Sequence, residues 1–117
     1  MDDGNAAPLK LTSEKVGTAV VLRAEGEVDS YTADLLRDEL SKAFGVRLPV
    51  VLDLCAVEFF ASAGLSVLVE YHLLGEERGT PLRLVSPRGS VLRALRAAML
   101  NETLELYFSL DEALQGG

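Results

Sequence analysis

Apolar and polar positions follow two periods along this chain. Leu9-Lys10-Leu11-Thr12-Ser13 alternates, which predicts a half-exposed strand. Glu14 to Thr18, with Gly17, reads as a turn, and Ala19 to Ala24 as a second, antiparallel strand that Gly26 ends. The period then lengthens. Over Thr32 to Phe44, Leu36, Leu40, Ala43 and Phe44 fall on one helical face, while Asp34, Arg37, Asp38 and Lys42 point away. Gly45 is the expected end of that helix. After Pro49, the β-branched run Val50 to Leu54 predicts a strand buried on both faces. Residues 55 to 61 then read as the loop that follows it.

A second helix runs from about Ser62 to Arg78. Leu65, Leu68, Val69 and His72 share one face at helical spacing, and Val67, Tyr71 and Leu74 fall on another side. His72 therefore reads as a packed histidine near the core. The helix is apolar over more of its circumference than a surface helix needs, so a neighbouring helix or a partner must cover it. Gly79-Thr80-Pro81 breaks the chain before a short strand, Leu82 to Val85. Residues 86 to 90 form a loop with Ser90 as a cap, and Val91 to Met99 a third helix with Val91, Leu95 and Ala98 inward. Glu105 to Phe108 reads as a last strand. Ser109 followed by Glu112 is a capping box opening a terminal helix.

Strands alternating with helices after an opening hairpin predict an α/β fold with right-handed crossovers. In such folds, sites gather at the carboxyl ends of strands. Two stretches then matter: Glu27-Val28-Asp29-Ser30 after the second strand, and Cys55 to Ala61 after the central one. One domain over 9–115, preceded by a small polar tail over 1–8, accounts for 115 of the 117 residues.

Composition narrows the chemistry. The net charge of −7 argues against a nucleic-acid partner, whose phosphates need Lys and Arg, and against direct binding to an anionic membrane. One Cys excludes an internal disulfide and a cysteine-based zinc site, and one His leaves no histidine-rich metal site. Residues 1–8 are acidic and small, with no basic segment of a signal peptide. The longest apolar tract, 50–74, is interrupted by Asp53, Glu58 and Glu70 and does not read as a membrane span. A cytoplasmic protein without a cofactor is the expectation.

The candidate chemistry centres on Ser62, at a strand-to-helix junction crowded with the small residues Ala61, Ala63 and Gly64. A serine there caps a helix, and the helix start also tolerates a phosphate. A serine hydrolase would need a G-x-S-x-G turn and a nearby histidine. His72 lies ten residues on along the same helix, about 15 Å at 1.5 Å per residue, far beyond the ~3 Å a general base needs. A phosphoacceptor aspartate of the receiver type, with Asp53 in that place, would need an acidic Mg²⁺ cluster and a later lysine. Here Glu14 stands alone, and Leu82 to Pro87 contains no lysine. Asp53 is instead expected to bond the residues that follow it. What remains is an interaction module with Ser62 as cap or as phosphoacceptor.

Val51-Leu52-Asp53-Leu54, Val57-Glu58-Phe59 and Ser62-Ala63-Gly64-Leu65 together resemble the signature of the STAS domains of bacterial anti-sigma factor antagonists. Gly26-Glu27-Val28-Asp29 with Thr32-Ala33 resembles their first loop, and Leu82 to Val85 their later strand. The resemblance implies a mixed central β-sheet of about five strands with about four α-helices packed mainly on one face. It implies a non-enzymatic partner switch. The unphosphorylated antagonist binds an anti-sigma factor serine kinase with a histidine-kinase-like ATPase fold. The kinase phosphorylates the serine corresponding to Ser62, and a PP2C-type phosphatase resets it. Asp29, Ser30, Ala61, Ser62, Ala63, Gly64 and Leu65 are the implied contact residues. The family usually has Asp immediately before the phosphoacceptor, and here Ala61 stands there. That departure keeps open a STAS module without the switch: a constitutive binder, a stressosome-like scaffold piece or a lipid-transporter accessory subunit. Arg88 and Arg93 read as ordinary surface arginines.

Overall fold

The computed structural model describes residues 9–86 and 89–116. The tail expected over 1–8 lies outside them, as do Pro87 and Arg88. The chain runs β1 (Leu9–Val16), β2 (Ala19–Val28), α1 (Ala33–Phe44), β3 (Val50–Phe60), α2 (Ser62–Arg78), β4 (Leu82–Val85), α3 (Ser90–Ala97), β5 (Glu105–Tyr107) and α4 (Leu110–Gln115). The strands lie in sequence order, β1 antiparallel to β2 and all later pairs parallel. Each parallel connection steps to the same side of the sheet. Right-handed crossovers that always step the same way put their helices on one face. Val20, Leu22, Val50, Leu52 and Leu84 accordingly pack there with Leu36, Leu40, Leu68 and Leu95. The alternate residues Ala19, Val21, Val51 and Val85 face the other way and meet Ala113 of α4. The mixed five-stranded sheet with helices mainly on one face is the fold the sequence implied.

Both faces of β3 are therefore buried from Val50 to Leu52. Beyond Asp53 the strand departs from the sequence reading, which ended it at Leu54. It continues to Phe60, with register shifts against β2 between Arg23 and Glu25 and between Gly26 and Glu27. Each shift admits an extra residue of β3, and a bulge of this kind turns the strand. Leu54, Val57 and Phe60 thereby all reach the helix-side core at a spacing of three rather than two. β1 and β2 also run longer than expected, through Val16 and Val28, because the turn is confined to Gly17 and Thr18. Asp53 bonds forward, as expected: its Oδ1 accepts the Cys55 N–H at 3.0 Å.

Helix α2 is covered mainly by its neighbours. The Phe44 and Tyr71 rings lie 5.2 Å apart, the Tyr71 hydroxyl donates to the Arg37 carbonyl at 3.4 Å, and Arg37 pairs with Glu70 at 3.0 Å. Its buried face is Gly64, Val67, Leu68, Tyr71, His72 and Gly75, a blend of the two sides read from spacing, with Leu65 and Val69 half-buried. The Ser109–Glu112 capping box forms: Ser109 Oγ accepts the Glu112 N–H at 3.2 Å, and the Glu112 carboxylate accepts the Phe108 N–H. Ser90 is no cap. It is the first residue of α3, and its hydroxyl donates to the Glu58 carbonyl at 2.8 Å, tying α3 to β3. Ala98, expected inward, is exposed.

α3 ends in a Schellman turn, with Leu100 N–H donating to Leu95 O at 2.8 Å and Met99 N–H to Arg96 O at 3.0 Å. The residue in the left-handed position is Met99, φ 60°, with its side chain 82% exposed. A β-carbon there costs about 1–2 kcal/mol, and glycine's extra freedom in the unfolded chain costs about 0.5–1. Met99→Gly is expected to raise stability by about 0.5–1 kcal/mol, seen as a higher urea midpoint at unchanged m-value. A lower midpoint would remove the strain reading.

Candidate functional site

β2 and β3 end side by side, Val28 opposite Phe60, so the segments after them emerge together at one edge. The Ala61 N–H donates to the Val28 carbonyl at 2.8 Å and carries the pairing one residue beyond the strand. Asp29-Ser30 and Ala61-Ser62 thus leave neighbouring strand ends. The two stretches singled out in the sequence meet, although residues 27–28 and 55–60 are strand rather than loop.

Asp29 caps α1. Its Oδ1 accepts the N–H groups of Tyr31 at 2.8 Å and Thr32 at 3.0 Å, and its carbonyl accepts the Ala33 N–H at 2.9 Å. Thr32 answers: its hydroxyl accepts the Asp29 N–H at 2.9 Å and donates to the Glu27 carbonyl at 2.9 Å. This is a reciprocal cap of the capping-box kind, with Thr32 buried at its centre. The Thr32 N–H, foremost among the donors to the carboxylate, holds the Asp29 pKa below its ordinary 3.8. A carboxyl lowered on folding contributes stability at pH above its unfolded value, and that contribution is lost as pH falls through the lowered folded value. Asp29→Asn keeps the capping geometry and removes the titration. Chemical unfolding at pH 6 and at pH 3 should therefore show a smaller acid loss in Asp29→Asn than in wild type. An equal loss in both would mean that the cap does not depend on the charge.

Ser62 is exposed, as a modification site requires, but it is not the cap of α2. Ala61 occupies the cap position with extended backbone, φ −92° and ψ 172°, and no side chain caps the helix. Ser62 is the first helical residue, one step inside, and its carbonyl accepts the Ser66 hydroxyl at 3.4 Å. The first turn of α2 holds no acidic residue. Its start therefore presents the positive end of a 17-residue helix without a compensating carboxylate. Gly64 is buried against Phe60 and Val28, and Leu65 and Ala63 pack partly on the core. Ser30 stays exposed.

The sequence reading passed over Tyr31 and quoted Phe59 only within a motif, not as a contact residue. Tyr31, directly after Asp29-Ser30, is 89% exposed, and Phe59, directly before the Phe60-Ala61 step, is 50% exposed. The available signal was an aromatic at each of the two strand ends, where a core role is hard to satisfy. Arg93 is exposed on α3, and Arg88 lies outside the described residues. The Cys55 thiol, at a bulge of β3, is pushed up to about 11, first by burial and then by Asp53. It is accordingly protonated and a weak nucleophile at neutral pH. Among the described residues, no cluster of three His, Cys, Asp or Glu side chains could hold a metal ion. None of the described helices is long and apolar enough to cross a membrane.

The site is thus a serine at a helix start, next to the strand end that carries the Asp29 turn. The family model for the STAS domain matches residues 10–113, and the chain belongs to that family. The anti-sigma-F factor antagonist RsfB of Mycobacterium tuberculosis is 34% identical over 99 residues, 82% of this chain and 79% of that protein. The anti-sigma-F factor antagonist RsfA of the same organism is 28% identical over 109 residues, covering 91% and 85%. Among solved structures, an anti-sigma factor antagonist from Mycobacterium paratuberculosis superposes with a TM-score of 0.84 at 32% identity, over 95% of this chain and 97% of that one.

Proposed function

We propose that this chain is a cytoplasmic anti-sigma factor antagonist that works by partner switching. Unphosphorylated, it binds an anti-sigma factor serine kinase through Asp29, Ser30 and Ala61 to Leu65, and sigma factor is released. Phosphorylation of Ser62 ends the contact, and a PP2C-type phosphatase restores it. The reading rests on one observation above others: Ser62 is exposed at the first residue of α2, beside the strand end that carries Asp29. A phosphate there gains from the helix start and so does not unfold its own domain. It does place about −1.5 to −2 charges where a partner must pack. Ala61 bears on the strength of the switch, because no adjacent carboxylate adds its repulsion to that of the phosphate.

Ala61 also favours the second reading, a STAS module that binds constitutively or serves as a scaffold or transporter accessory subunit. Incubation of the full chain with Mg-ATP in extract of its own host separates the two. Phosphopeptide mapping should place the phosphate on Ser62 and not on Ser66, four residues along the same helix. Absence of phosphate from Ser62 would leave only the second reading.

A further inference from the structure

The far end of the helical layer holds a second feature that partner switching does not use. A cleft of about 510 Å³ opens between the C-terminal ends of α1 and α2, lined by Phe44, Gly45, Arg47, Arg78 and Thr80. Along α2 it lies about 24 Å from Ser62, sixteen residues at 1.5 Å each. Two exposed arginines therefore line one opening. Among the described residues, neither Arg47 nor Arg78 lies within ion-pairing distance of a carboxylate, although the chain carries 18 acids against 11 bases. Arg23, which lines the groove on the open face of the sheet, is by contrast held by Glu14 and Asp53.

Two further observations fall on the same cleft. The Thr80 hydroxyl is buried and has no hydrogen-bond partner among the described residues. A buried polar group left unpaired is costly, so such groups are uncommon without a ligand or water to satisfy them. Arg47 holds φ 68°, the left-handed region that glycine or asparagine would fill at less cost, while Gly45 at the end of α1 stays right-handed at φ −65°.

We propose that this cleft is an oxyanion site that takes phosphate, free or as the monoester of a small molecule. Guanidinium forks match phosphate oxygens in bidentate geometry. The volume exceeds that of a bare phosphate and leaves room for a small organic group against Phe44. The net charge of −7 and the helix C-terminal ends both disfavour an anion here, so binding is a property of Arg47 and Arg78 outweighing them rather than of a basic surface.

The test is an amide NMR titration of the full chain with inorganic phosphate and with glycerol 2-phosphate, against sodium chloride at matched ionic strength. Saturable shifts confined to residues 44–47 and 78–80 are expected with phosphate and not with chloride. Arg47→Asn, which keeps the left-handed backbone, and Arg78→Gln should each weaken binding by about tenfold or more. Unchanged spectra elsewhere would show that both variants remain folded. Tighter binding of the ester would assign the site to a phosphorylated metabolite, and equal binding to free phosphate. Shifts that do not saturate, that spread over the surface, or that persist in both variants would overturn the proposal.

Discussion

Ser62→Asp is expected to bind the anti-sigma factor about a hundredfold more weakly than wild type, ~2.7 kcal/mol, while unfolding at the same denaturant concentration or slightly higher. The two halves of that result come from one position. Ser62 is the first residue of α2, and the first turn of that helix holds no acid. A carboxylate there gains about 0.3–1 kcal/mol from the helix start, so the domain loses nothing. In a complex the same carboxylate has to give up water against a packed partner surface. A buried charge left without a partner costs several kcal/mol, more than enough for the loss expected. Ser62→Ala removes only an exposed hydroxyl with no side-chain capping role, and should bind as wild type does.

Gly64→Ala is expected to destabilise the fold by about 1–3 kcal/mol and to weaken partner binding as well. A β-carbon on Gly64 would lie 2.7 Å from Phe60 Cζ and 2.7 Å from Val28 Cγ1. Both neighbours are buried and close the ends of β3 and β2, so neither yields cheaply. Alanine's better helix propensity returns at most about 1 kcal/mol. For a domain of this size the loss corresponds to a fall in Tm of about 4 °C per kcal/mol. The strain falls on the strand ends that carry Asp29 and Ser62, hence the effect on binding. Gly75→Ala separates the two effects. Its β-carbon would meet the Thr80 carbonyl at 2.6 Å, at the far end of α2. It should cost stability and leave partner affinity unchanged once the protein is folded. Binding lost equally in both variants would mean that stability alone, and not the position of Gly64, governs the contact.

Periodicity carried the architecture. Leu36, Leu40, Ala43 and Phe44 on α1 and the run Val50 to Leu54 on β3 show their burial directly in the sequence, because regular elements repeat at a fixed period. It failed where the backbone leaves that period. Cys55-Ala56-Val57-Glu58-Phe59-Phe60 looks like loop because two bulges replace an alternation of two with a spacing of three. The cap of α2 was misplaced by one residue for a different reason. Serine is a favoured cap, yet Ala61 N–H is held by the Val28 carbonyl, and that pairing fixes the extended residue at 61 rather than 62. Asp29 and Ser62 were legible through their resemblance to a family motif. Their adjacency was expected from the same resemblance alone, since it depends on the register that sets Val28 against Phe60. The Arg47–Arg78 cleft was out of reach, being a matter of residues 31 positions apart brought together by packing.

The most direct test of partner switching is a pull-down from extract of the native host, with wild-type protein and Ser62→Asp as parallel baits and bound proteins identified by mass spectrometry. The account predicts that a small ATPase-fold serine kinase is retained by wild type and lost from Ser62→Asp. Retention of the same proteins by both baits, or no kinase with either, would contradict it and leave a STAS domain that binds without a switch at Ser62.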